Sequence, residues 1–320
     1  MTDLVSRRCE ATSASRAGAP ACTVGQLAKG RRNNFDVLRF LAATLVVISH
    51  SFPLTGHAKD PLEMMTGSQA NLGKVGLAVF FIMSGFLVTK SFQERRTAGA
   101  YLSARCLRIF PALFVVVLLT AFLLGPLLTV LPLGEYLRSP GVYAYLRNCS
   151  LLHIQYDLPG LFQQNPLKGA VNGVLWTLPY EFSYYLMVLM LGLIGLYGKK
   201  GVILSFFCLG LMTAIVMAYH GYKAGRVANH LFLLPCFLSG MALWVWRDLI
   251  ALRWTWAVLA LLCLCASCWL GVLGQGIASF GAYLVVFLTF HPKLRLWGFG
   301  RFGDFSYGIY IYVSSAKFMG

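Results

Sequence analysis

Two ionisable residues, Arg39 and His50, sit at the ends of the otherwise apolar run RFLAATLVVISH. Eleven residues at about 100° each complete three turns plus about 20°, so the two side chains share one helix face, about 16 Å apart along the axis. Asp36, three residues before Arg39, lies on the same face and is placed to pair with the guanidinium. An ionisable group in an apolar span is costly unless it meets a cavity or a partner, so such residues mark a pathway or a site. A structurally paired arginine and an interfacial histidine are the alternatives.

Three more segments carry polar chemistry within apolar surroundings. In GLAVFFIMSGFLVTKSF, Ser84 and Gly85 interrupt a bulky helix with two small residues, which admits either a ligand or the backbone of a neighbouring helix. In ARCLRIFPAL, Arg105 and Arg108 lie one turn apart and form a fork suited to phosphate oxygens. The same pair would also anchor a span at the cytoplasmic face. In NGVLWTLPYEFSYYL, Glu181 enters hydrocarbon at a depth similar to that of His50. A carboxylate there can orient the imidazole and stabilise its protonated form, as in acyl-transfer bases; a structural Glu–Arg pair is the other reading. Tyr184 and Tyr185, three and four residues on, are placed to line the same pocket.

The elements that must position these residues are membrane helices. The 320-residue chain is 58% hydrophobic and 12% charged, with a mean hydropathy of +0.68, outside the range of soluble domains. Apolar segments long enough to span a bilayer recur at about 35–54, 73–92, 109–131, 174–197, 202–219, 229–246, 254–271 and 275–290, and a ninth starts near 305 and stops at Gly320. That last segment is too short to cross, which reads as a truncated C-terminus. The expected fold is an all-α polytopic transmembrane bundle of about nine to ten spans. With the N-terminus in the cytoplasm, eighteen Lys/Arg fall inside and seven outside, which fixes the expected orientation.

The net charge of +16 then reflects topology and attraction to anionic membrane lipids rather than nucleic-acid binding. Residues 1–34 read as a flexible basic cytoplasmic tail and residues 35–320 as the transmembrane domain. CLCASC at 263–268 has thiols scattered around a helix with no histidine among them, so no metal site is expected. The longest segment between spans, about 132–173, is a candidate lid or acceptor-binding element on the outer side.

In order, the motifs FDVLRFLAATLVVISHS, FFIMSGFLVTKSF, RCLRIFPAL, LWTLPYEFSYYL and FGDFSYGIYIY resemble those of the bacterial membrane acyltransferase family 3, which includes O-antigen and exopolysaccharide O-acetyltransferases. The resemblance runs from about Asn34 to Tyr312. It implies a multi-pass protein of the bacterial cytoplasmic (inner) membrane that moves an acetyl group from acetyl-CoA to a glycan or lipid-linked saccharide. His50, Glu181 and Arg39 are then the expected catalytic residues. Arg105, Arg108, Ser84 and Gly85 would hold the acyl-CoA, and Asp36, Trp176, Tyr184 and Tyr185 would line the substrate pocket. His50 would act as general base or carry the acetyl group transiently, so activity should fall below the ordinary histidine pKa of about 6.5. A transporter or flippase for a lipid-linked glycan would also need intramembrane charges; the lack of an internal repeat speaks against it.

Overall fold

The computed structural model describes residues 22–30, 33–57, 59–95, 97–163, 171–196, 200–220, 225–294, 296 and 299. These are helical throughout apart from connecting loops and one isolated bridge between Thr23 and Ala251, with no β-strand among the described residues. The main helices are α1 (Val24–Leu27), α2 (Phe35–Leu54), α3 (Pro61–Met65), α4 (Leu72–Glu94) and α5 (Ala98–Leu128). They continue with α6 (Leu133–Arg138), α7 (Pro140–Tyr145), α8 (Leu178–Leu193) and α9 (Lys200–Tyr219). The last three are α10 (Gly225–Val245), α11 (Trp254–Trp269) and α12 (Leu273–Phe290). Among the described residues, α2, α4, α5, α10 and α12 are long and apolar enough to cross a membrane. The expected ninth span lies outside the described residues.

Helix α4 is the centre of the bundle, packed between α2 and α10. Its small residues make this possible. A methyl group on Gly85 would collide with the Phe237 carbonyl of α10, and one on Gly240 of α10 would collide with the Ile82 carbonyl of α4. The two glycines therefore let the backbones touch. Gly76 does the same against the Ala42 carbonyl of α2. Where bulk is available it fills the seam: Phe86 lies edge-on to Trp244 at 5.2 Å and is fully buried.

Helix α5 begins eleven residues earlier than the apolar segment suggests, so Arg105 and Arg108 lie two to three turns inside a continuous helix rather than at its mouth. Tyr101, on its first turns, is fully buried and donates to the Tyr185 carbonyl at 3.0 Å, which ties α5 to α8. A π turn at Thr120–Leu124 leaves the Ala121 carbonyl to be satisfied from outside the helix, and the Tyr136 hydroxyl of α6 donates to it at 2.8 Å.

Residues 22–30 depart from the expected flexible tail. Thr23 and Gln26 form a capping box around α1, and Val24 is completely buried. The segment is bonded to the turn between α10 and α11 through Val24 N–H to the Ile250 carbonyl (2.9 Å) and Gly25 N–H to the Arg247 carbonyl (2.8 Å). Residues 1–21 lie outside the described residues. The 132–173 segment is equally ordered by its own bonds where described: buried Asn148 donates to the Gln155 carbonyl (2.9 Å) and accepts from the Gln155 N–H (2.7 Å).

Candidate active site

Five of the residues singled out by type and spacing line one cavity of about 390 Å³: Arg39 from α2, Ser84 from α4, Arg105 and Arg108 from α5, and Tyr185 from α8. Arg39 is held at 3.4 Å by Asp36, one turn earlier, as the spacing predicts. Arg105 is cradled by aromatic faces, its guanidinium 5.6 Å from the Tyr185 ring and 6.0 Å from the Tyr101 ring. One of its terminal nitrogens donates to Ser91 Oγ at 3.4 Å. Its Nε is buried and has no hydrogen-bond partner among the described residues, an orphan donor that an anion would satisfy.

The cavity also gathers Lys90, Ser91 and Arg95, which sequence reasoning missed. The signal was present: Ser84, Leu87, Val88, Ser91 and Arg95 recur at i, i+3, i+4, i+7 and i+11, one stripe of α4. Lys90 is oriented by the Ala28 carbonyl (2.9 Å), by Glu94 (3.9 Å) and by the Trp244 ring (5.7 Å). Five cations against the single carboxylate of Glu94 make this lining an anion site, and the orphan Arg105 donor fits a phosphate-bearing ligand.

Gly85 does not belong to that lining. It is the contact point of α4 with the α10 backbone, and helix packing accounts for it. Ser84, its neighbour, turns the other way into the cavity.

Glu181 and His50, expected to pair, each hydrogen-bond to another group. A 3₁₀ turn at Leu175–Thr177 precedes α8, so Glu181 falls in the first turn of the helix, where the N-terminal dipole favours a carboxylate. Its hydrogen-bond partner is the Tyr185 hydroxyl, one turn along. His50 instead has Nδ1 2.8 Å from the Val46 carbonyl on its own helix. A carbonyl only accepts, so Nδ1 carries the proton and the lone pair of the neutral ring is on Nε2. The backbone thus fixes the tautomer that the carboxylate was expected to fix.

Tyr184 likewise leaves the pocket assigned to it. Its ring packs on Phe81 and Phe237, and its hydroxyl lies 3.1 Å from His230 Nδ1 on α10. Trp176 lines a second, larger cavity together with Tyr180 and His230.

The C-terminal end of α2 is anchored by a residue not anticipated from sequence. Asp60 caps α3 and accepts from Ser49 Oγ (2.7 Å), the Leu72 N–H (2.8 Å) and the Glu63 N–H (2.9 Å). It therefore joins the turn bearing His50 to the start of α4. Burial alone would raise its pKa, but these hydrogen bonds to the charged form prevail and hold it below the ordinary carboxylate value.

An arginine-lined anion cavity and a tautomer-fixed histidine on one membrane helix suit transfer of an activated acyl group, and comparison with known proteins agrees. The family described as acyltransferase domain matches residues 32–312. The chain belongs to acyltransferase family 3. Among its relatives, an O-acetyl transferase of Shigella phage Sf6 is 26% identical over 299 residues, covering 88% of this chain and 84% of the relative. Nodulation protein 10 of Rhizobium leguminosarum bv. viciae is 37% identical over 166 residues, which span 51% of this chain and 44% of that protein. No solved structure shows a significant match. Members of an acyltransferase family need a donor site and a proton acceptor, and the 390 Å³ cavity and His50 are this family member's candidates for the two.

Proposed function

We propose that this protein is a membrane O-acetyltransferase of the bacterial inner membrane, moving an acetyl group from cytoplasmic acetyl-CoA to a hydroxyl of a surface or lipid-linked glycan at the outer face. The observation that carries the reading is the cation-lined cavity with its orphan Arg105 donor, on the same helix bundle as a histidine whose Nε2 holds the lone pair. The donor's phosphates bind Arg105, Arg108, Lys90 and Arg95, and its thioester arm runs past Ser84 and Arg39 toward His50. His50 Nε2 takes the acceptor hydroxyl proton as the oxygen attacks the thioester carbonyl. The carbon–sulfur bond then breaks, and the imidazolium returns the proton to the departing thiolate. In the alternative route the same Nε2 attacks the thioester carbonyl first, the carbon–sulfur bond breaks to release the CoA thiolate, and the acceptor hydroxyl then attacks the acetyl-imidazole and frees the ring.

Parity of the contacts supports the topology. The Asn34 side chain, ahead of α2, donates to the carbonyls of Leu288 and Leu294, at the far end of α12. Residues 22–25, on the same side as Asn34, bond the turn at 247–250. Both meetings require an even number of crossings. Five spans between Asn34 and Leu294 would be odd, so we take α11 as a further span and α8 and α9 as a pair. Counting α8 and α9 gives eight crossings to Phe290, with the N-terminus on the cytoplasmic side by the distribution of basic residues.

The deciding experiment supplies [14C]acetyl-CoA to membranes carrying the wild-type chain or His50→Ala and measures label in the cell's own surface glycan. Label from wild type and none from His50→Ala is expected. Label that persists without His50 removes it from the mechanism, and a wild-type chain that is present in the membrane yet transfers nothing overturns the acetyltransferase reading.

A further inference from the structure

A second cavity, larger than the cation-lined one, plays no part in the chemistry above. It measures about 800 Å³ and lies between the first turns of α8 and α10, walled on one side by residues 151–156. Neither His50 nor Glu181 lines it. Its polar equipment is specific: the rings of Trp176, Tyr180 and Tyr156 stand beside the side chains of Arg226, Asn229 and His230. Flat aromatic faces take the C–H face of a sugar ring, while planar amide, imidazole and guanidinium groups take its hydroxyls.

The walls are fixed in place. Trp176 and Tyr180 meet edge to face at 5.8 Å, and the Tyr180 hydroxyl donates to the Arg226 carbonyl at 3.0 Å, joining α8 to the start of α10. His230 is braced between the rings of Tyr180 (6.0 Å) and Tyr184 (5.6 Å) and is hydrogen-bonded to the latter through Nδ1. Its Nε2 is thereby the nitrogen left to meet a ligand. On the opposite wall Leu151 holds a left-handed conformation, φ 60°, which costs energy in a leucine and persists only where its surroundings impose it; the Asn148–Gln155 bonds do so.

The charge is one-sided as well. No carboxylate lines the cavity, and Arg226 has no carboxylate partner among the described residues. We propose that this cavity is a glycan-anchoring subsite: a sugar of the acceptor other than the one being acetylated stacks on Trp176 and Tyr180, His230 reads a hydroxyl, and an anionic substituent pairs with Arg226. The inference rests on the acetyltransferase reading for what the glycan is held for, but binding itself does not. The anion has two chemical sources, a uronate carboxylate within the glycan or the diphosphate of a lipid-linked saccharide.

Full-length protein in lipid nanodiscs, purified without glycosidic detergent, is titrated with three probes: an acidic heptagalacturonate, a prenyl-diphosphate-linked N-acetylglucosamine, and neutral maltoheptaose. Tighter binding of one anionic probe than of maltoheptaose is expected, and which one binds identifies the source of the anion. Trp176→Ala and Arg226→Gln should each weaken that binding about tenfold, with Trp176→Phe restoring most of it. His50→Ala should bind as wild type does, and a wild-type chain that binds but does not transfer counts against the acetyltransferase reading alone. Equal affinity for all three probes, no binding, or binding indifferent to both substitutions overturns the subsite. In the transfer assay Trp176→Ala should raise KM for a long acceptor and leave kcat and donor KM unchanged. A fall in kcat with unchanged KM would also overturn it.

Discussion

At the scale of single residues, the ionisable groups were legible because charge in an apolar helix is conspicuous and expensive. Arg39, Ser84, Arg105 and Arg108 do converge, from three helices, on one cavity. The hydrogen-bond partners of Glu181 and His50 were not legible: similar depth along two axes sets height and says nothing about the direction each side chain faces, which only packing decides. Arg105 donates from a planar fork between two aromatic rings, a geometry that an ammonium does not reproduce. Arg105→Lys should therefore raise donor KM about tenfold or more, with the acceptor KM unmoved, in steady-state acetyl transfer. Asp60 predicts a pH response. Its folded pKa lies below the unfolded value of about 3.9, so the carboxylate stabilises the fold above that value and loses this as pH falls through the folded pKa. Thermal unfolding between pH 6 and 3 should show a steeper loss for wild type than for Asp60→Asn, and parallel curves would contradict the role of Asp60.

At the scale of elements, the apolar segments were readable to within a few residues for α2, α4, α11 and α12, where length and hydropathy coincide with the helix. The start of α5 was missed because its first two turns, AGAYLSARC, are amphipathic and extend beyond the apolar run. Gly85 was ambiguous for a different reason. The residue that explains it is Gly240, distant in sequence, and no local pattern links them. Substituting either by leucine forces backbone against side chain at the closest point of the bundle. Gly85→Leu and Gly240→Leu should each cost about 1–3 kcal/mol or more of stability and lower the yield of folded protein. Leucine at Gly99, which faces open space, should be tolerated in the same unfolding measurement.

At the scale of the whole molecule, hydropathy and basic-residue bias gave the membrane class and the orientation to be tested, while the contacts add a parity that neither supplies. The docked segment at 22–30 carried one overlooked cue, the Thr-x-x-Gln of a capping box at 23–26. That segment has a consequence for biogenesis. It is made before every helix of the bundle, yet its bonding partners at 247–250 are made more than 200 residues later, which at about 5–20 residues per second is a wait of about 10–45 s. Four long apolar helices, α2, α4, α5 and α10, are made before the segment at 22–30 can seat, and only when it seats does the Ala28 carbonyl become available to Lys90 at the rim of the cation-lined cavity. The cation-lined cavity is thus completed late, so a partly inserted chain has not yet assembled the lining that concentrates this positive charge.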